Sequence, residues 1–245
     1  MRNVLVVVIA LAAYAFGAAS AKFDLFPYKQ LAQRVSGQQA ARVLPVSKVH
    51  GARGRELHER LMQGGYIIYF RHNDRAKIPD VNMVDALAHL TEPEIINPDY
   101  KEGLCLTEYG HRQSWYLERI FGLLALPIDK VIASPICRCV ETAQGIFGRV
   151  DELDYDMVYK TILPPEEREA VFARRRATLE TPPPAGKNTV IVAHSSGSLH
   201  DVGLMIPDLV EGGAVVLKPD GNGEIHFVAI LKPRDWALML ARKPV

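Results

Sequence analysis

"YIIYFRHNDRAK" (66–77) decides how this chain reads. Tyr66 to Phe70 is a short, unbroken run of apolar and aromatic β-formers, the pattern of a strand covered on both faces. It gives way at once to Arg71, His72, Asn73, Asp74 and Arg75. Positive charge beside a histidine disfavours its protonated form. A neutral imidazole flanked by guanidinium groups suits a nucleophile that meets an anion.

Two more apolar strands end in chemistry. "KVIAS" (130–134) runs into Pro135, Ile136, Cys137 and Arg138, with Pro135 opening a helix over "PICRCVETAQGIFG". "NTVIVAHSSGS" (188–198) is a strand that ends at His194 and Ser195 in a Ser/Gly turn. Helices are predicted over 53–65, stopped by Gly64 and Gly65, over 106–124 with Thr107 as N-cap, and over about 165–180 between prolines. Residues 214–231 read as two alternating strands joined by Asp220-Gly221-Asn222-Gly223, a strong hairpin signal. Strands alternating with helices predict an α/β fold: a three-layer sandwich with a mostly parallel central sheet flanked by helices, plus a C-terminal antiparallel hairpin. Residues 72–104, with Pro79, Pro93 and Pro98, form a long irregular excursion.

In open α/β sheets, ligands bind beyond the carboxyl ends of the strands. A lone histidine at a strand end is more often structural than reactive, and an arginine early in a helix is usually just solvated. Three such ends together place Arg71, His72, Arg138 and His194 around one pocket. Two guanidinium groups and two imidazoles suit a tetrahedral dianion.

The Arg-His pair after an apolar strand, "ASPICRCVETA" and "VIVAHSSG" resemble the histidine phosphatase superfamily, which includes phosphoglycerate mutases and many acid phosphatases. Ser134, Pro135, Arg138, Thr142 and Ala143 match its second motif, and "LTEYGHRQS" is similar to a helix start of its small-domain branch. The likeness covers roughly residues 64 to 231, with the motifs in order. It implies that His72 is the nucleophile and that Arg71, Arg138 and His194 hold the phosphoryl oxygens. The reaction implied is phosphomonoester hydrolysis through a phosphohistidine, with a small-molecule substrate and no metal or other cofactor, since cationic side chains neutralise the phosphoryl charge. Two departures stand out. Asn73 occupies the position of the family's usual glycine, and Ser195 follows the second histidine where one branch carries an acid. Glu166, Glu167 and Glu211 are the candidates for the general acid.

The remaining features frame where such a protein works. Val4 to about Ala18 is apolar, preceded by Arg2 and followed by Ala19-Ser20-Ala21, the layout of a cleavable signal peptide over 1–21. The expectation is a periplasmic or secreted protein with no lasting membrane insertion, a lead-in arm over 22–52 and one domain over 53–245. The 29 basic and 28 acidic residues nearly cancel, which implies no nucleic-acid partner. Arg174-Arg175-Arg176, behind Glu166, Glu167 and Glu169, reads as a solvated helix face. Of the three cysteines, Cys137 and Cys139 do not face each other on a helix, so any bridge involves Cys105.

Two other readings use the same residues. "VIVAHSSGS" is similar to a nucleophile elbow with Ser195 as a serine hydrolase's nucleophile, but only His200 and His226 follow it. Alternatively the pocket binds a phospho-ligand without turning it over, disabled by Asn73 and by the missing acid.

Overall fold

The run at 66–70 becomes the heart of a sheet. In the computed structural model β1 (Ile67–Arg71) lies inside a six-stranded sheet, and its first four residues are buried. The structure describes residues 51–76, 105–158, 165–195, 197–200, 203–206 and 209–240. The signal peptide over 1–21, the lead-in arm up to residue 50 and most of the excursion after residue 76 lie outside the described residues.

The remaining elements follow in chain order. They are α1 (Gly51–Gln63), which precedes β1, then α2 (Glu108–Leu124), β2 (Ile128–Ala133), α3 (Cys137–Phe147), β3 (Glu152–Leu153), α4 (Pro165–Glu180), β4 (Asn188–Ala193), α5 (Gly197–His200), β5 (Ala214–Pro219) and β6 (Ile225–Leu231). The strands are ordered β3-β2-β4-β1-β5-β6. β3, β2, β4 and β1 run parallel, while β5 is antiparallel to both β1 and β6. The expected mixed α/β sandwich is therefore present, with the hairpin continuing the sheet rather than standing apart from it. Among the described residues no helix is long and apolar enough to cross a membrane.

Alternation along the strands splits the core in two. Ile68 and Phe70 face one side with Leu61 of α1, Leu117 and Phe121 of α2, and Ala143 and Ile146 of α3. Ile67 and Tyr69 face the other with Leu179 of α4 and Leu199 of α5. A 3-10 segment, Pro233–Leu240, closes the first side: Trp236 is fully buried and stacks on Phe70, with ring centroids 5.7 Å apart.

Several expectations are corrected. β5 does not alternate, because both its faces are covered: Ala214 and Val216 pack into one layer of the core and Val215 and Leu217 into the other. The helix after β2 starts at Cys137, with Ile136 still extended at its N-cap, so Pro135 precedes it rather than opening it. Arg175 is not solvated. It is fully buried, and its Nε and Nη2 donate to the carbonyl of Asp156 at 3.0 and 2.7 Å, with Nη2 also donating to that of Val158 at 2.9 Å. Arg174 and Arg176 do lie outside, paired with Asp156 and Glu180. Three consecutive helical residues project about 100° apart and cannot share one face.

Candidate active site

Strand direction assembles the site. β1, β2 and β4 are parallel neighbours, so Arg71-His72, Ser134 with the start of α3, and His194 all emerge at one edge of the sheet. The start of β5 and the end of β6 reach the same edge from the antiparallel side, bringing Glu211 and Lys232 close to it.

Of the four expected residues, His72, His194 and Arg138 come together, with Arg71 beside His72 in the chain. The rings of His72 and His194 lie edge to face, 5.8 Å between centroids, and both are buried. Arg138 Nη2 reaches His194 Nδ1 at 3.3 Å. Arg71 is half-buried; Nη1 donates to the Leu209 carbonyl at 2.6 Å and Nη2 to Glu211 Oε1 at 3.1 Å.

Hydrogen bonding fixes which nitrogen of each ring is available. His72 Nδ1 lies 2.7 Å from the Asn73 carbonyl, which can only accept, so Nδ1 carries the proton and Nε2 the lone pair. Nε2 carries no hydrogen bond among the described residues. His194 is arranged otherwise. Arginine can only donate, so Nδ1 accepts from Arg138 and the Nε2–H is left to donate to Ser134 Oγ at 3.0 Å.

Both imidazoles are held neutral. Burial pushes the pKa of His72 well below the usual 6.5, and Arg138 lowers it further, followed by Arg71 and Arg75; the bond to the Asn73 carbonyl opposes them. His194 is likewise pushed well below 6.5, by burial first and by Arg138 second. Cys139, fully buried beside His194, donates to the Ala193 carbonyl at 3.3 Å, and burial lifts its thiol to about 12. It is an inert filler rather than a nucleophile.

Three further residues shape the site. Arg75, read from the sequence as a cation flanking His72 but not as part of the pocket, is among the charges that lower the pKa of His72, behind burial and Arg138. Ser134 was noted only as part of a motif, yet its hydroxyl orients His194. Cys105 bridges to Cys137, the residue before Arg138, pinning the start of α3 to the segment leading into α2. Leu106 N–H reinforces that junction by donating to Glu141 Oε2 at 2.7 Å. Thr107 caps α2 as expected, accepting from Gly110 N–H at 3.0 Å.

Of the acid candidates, Glu211 sits in the site, paired with Arg71. Glu167 is exposed on α4, and the side chain of Glu166 lies outside the described residues. Asn73 turns away from the rings toward α2, where Nδ2 donates to Ser114 Oγ at 2.7 Å. For the serine reading, His200 gives its Nε2 to the Ile206 carbonyl at 2.7 Å and His226 is exposed on β6, and neither is seen to bond Ser195. Asp220, Glu224 and His226 are close enough to share an ion, but they lie at the opposite end of β5, where Asp220 Oδ1 already accepts from two backbone N–H groups of the turn.

A cleft of about 620 Å³ adjoins the site on the Glu211 side, lined by Tyr109, Arg112 and Tyr116 of α2 and by Lys232 and Arg234 after β6.

No family model and no curated protein matches the chain. Solved structures do. The protein histidine phosphatase SixA in its tungstate complex is 16% identical, with a TM-score of 0.46, covering 69% of this chain and 98% of its own. A phosphoserine phosphatase from Entamoeba histolytica in complex with 3-phosphoglyceric acid is 13% identical, with a TM-score of 0.43, covering 70% of this chain and 98% of its own. A mycobacterial glucosyl-3-phosphoglycerate phosphatase is 17% identical, with a TM-score of 0.41, covering 62% of this chain and 89% of its own. The chemistry rests on the geometry of the site itself.

Proposed function

We propose that the protein is an exported phosphomonoester hydrolase working through a phosphohistidine on His72. The observation that carries this reading is a buried, neutral imidazole whose Nε2 carries no hydrogen bond among the described residues and which lies in the field of Arg138, Arg71 and Arg75. Phosphoryl transfer requires in-line placement of a nucleophile and neutralisation of charge on the equatorial oxygens, and this set offers both.

In the first step His72 Nε2 forms a bond to phosphorus as the P–O bond to the alcohol breaks. The departing oxygen takes a proton from water. In the second step water attacks phosphorus, the P–N bond breaks, and inorganic phosphate leaves with the ring returned to its starting tautomer. Arg138 and His194 line the side from which oxygens of the phosphoryl group are held, Arg138 giving up its bond to His194 Nδ1 for one to phosphate. Arg71 exchanges part of its pairing with Glu211 in the same way. The alcohol extends into the adjoining cleft, whose tyrosines and cations fit a sizeable polar group.

The test is rapid quench with a ³²P-labelled aryl phosphate. Acid-labile, base-stable label on His72 is the expected result. Label on a serine, or undiminished turnover by His72→Ala, overturns the mechanism.

Export belongs to the same proposal. The apolar leader motivates it, and the Cys105–Cys137 disulfide is consistent with it, because such bonds persist mainly in oxidising compartments. N-terminal sequencing of the protein from its native host should give a chain starting near Lys22; an intact Met1 in the cytosol overturns it.

A further inference from the structure

Asn73 is fully buried, and the site is built around its side chain. Nδ2 donates to Ser114 Oγ at 2.7 Å and to the Gly110 carbonyl at 3.4 Å, both on α2. Three glycines make the room. A Cβ on Gly145 would stand 2.7 Å from Ser114 Cβ, one on Gly212 2.7 Å from Asn73 Oδ1, and one on Gly110 2.2 Å from the Asp74 carbonyl oxygen. They come from α3, the loop before β5, and α2, and make room for Ser114, the Asn73 amide and the Asp74 carbonyl respectively.

The peptide between His72 and Asn73 is gripped on every side. His72 N–H donates to the Ala193 carbonyl at 3.0 Å, and the His72 carbonyl accepts from Gly212 N–H at 2.9 Å. Asn73 N–H donates to Thr142 Oγ1 at 2.9 Å, and that hydroxyl donates in turn to the Arg138 carbonyl at 2.7 Å. The Asn73 carbonyl, in the next peptide, is the one that accepts from His72 Nδ1. Packing alone does not account for the amide, since its Oδ1 is buried with no donor among the described residues.

We propose that Asn73 and Ser114 form a clamp that orients the Asn73 carbonyl and thereby holds His72 as the Nδ1–H tautomer with Nε2 bare. Asn73 and Ser114 are positioning residues, acting on the nucleophile through one hydrogen bond. The inference rests on the role assigned to His72 above. A glycine here would leave the Thr142 bond and one tie to α2, Asp74 N–H donating to Gln113 Oε1 at 2.8 Å; the amide adds a second tie to α2.

The test uses the mature protein and the variants Asn73→Gly, Ser114→Ala and the double variant, with p-nitrophenyl phosphate as substrate. Each single change should lower kcat about tenfold with KM changed less than about twofold, and the double should fall no further than the worse single, because either break opens the same clamp. ¹⁵N shifts of the His72 ring report the tautomer without turnover: one Nδ1–H form in the wild type, and a mixture in Asn73→Gly. Thermal melts separate loss of fold from loss of aim. Values of kcat within about twofold of wild type in both singles, or an unchanged His72 tautomer in Asn73→Gly, overturn the clamp. If the wild type hydrolyses no aryl phosphate, the hydrolase reading falls while the ¹⁵N shifts still decide the clamp.

Discussion

His72 and His194 close adjacent parallel strands, are both buried and stand 5.8 Å apart. Their ring nitrogens have opposite fates. His72 spends one nitrogen on a backbone carbonyl and keeps the other bare, whereas His194 spends one on Arg138 and the other on Ser134. The same residue type at equivalent positions of one sheet edge thus serves two ends. A ring tied at one nitrogen is oriented and still able to attack. A ring tied at both is part of the wall, and its contribution passes through the arginine it holds.

The largest expected effect tests the bare nitrogen. His72→Ala should lower kcat for an aryl phosphate by at least about a thousandfold, since removing a nucleophile takes away the covalent route altogether. Inorganic phosphate should still bind and inhibit, because Arg71, Arg75 and Arg138 persist. Residual turnover near wild type breaks the comparison outright.

His194→Ala should cost less, about a hundredfold, and should raise KM together with lowering kcat, because it loosens Arg138 in the ground state and the transition state alike. A loss equal to that of His72→Ala, with KM unchanged, would give both rings a role in the chemical step and erase the distinction.

Both rings should be felt in stability as well. Their folded pKa values lie below 6.5, so between those values and 6.5 the unfolded chain binds more protons than the folded one. Stability from this source is fully present above pH 6.5 and is lost as pH falls toward the folded values, at up to about 1.4 kcal/mol per pH unit for each ring. Urea melts from pH 7.5 to 5 should show that slope, and either His→Gln variant should flatten it by about one ring's share. Catalysis follows the same sign. His72 stays neutral into the acidic range, so kcat should not fall with an apparent pKa near 6.5.

How much of this was legible depends on how far each contact reaches along the chain. The switch from Phe70 to Arg71 is local, and it announced both the strand and the residues at its end. The likeness of strand, turn and helix around Ser134 to Arg138 is also local. Arg175 was misread because its carbonyl partners sit at Asp156 and Val158, about five helical turns of sequence away, and no helical charge pattern reveals them. Trp236 stacks on Phe70 from the far end of the chain, beyond any window of periodicity. β3 has two residues, too few for an alternation to show. The direction of the Asn73 side chain depends on space left by Gly212, and that of its partner Ser114 on space left by Gly145, which only the folded chain brings near them. The involvement of Cys105 was readable by excluding the i, i+2 pair, whereas the choice of Cys137 over Cys139 needed the fold, which buries Cys139 against Ala193 and His194.

The smallest effect is the sharpest probe of the second ring. Ser134 is fully buried, and its hydroxyl is the acceptor that keeps the Nε2–H of His194 in place, leaving Nδ1 free to accept from Arg138. Ser134→Ala removes that acceptor and leaves a buried N–H unsatisfied, which a flip of the tautomer would relieve by moving the proton to Nδ1. A protonated Nδ1 cannot accept from arginine, so Arg138 loses its anchor without losing its charge. The expected result is a loss in kcat/KM of about fivefold, carried mainly in KM, with the His72 tautomer untouched. ¹⁵N shifts of the two rings recorded on one sample decide the matter. A change confined to His194 supports one ring that attacks and one that holds. A shift at His72, or none at His194, would mean that the two rings are not separately governed by the bonds that distinguish them.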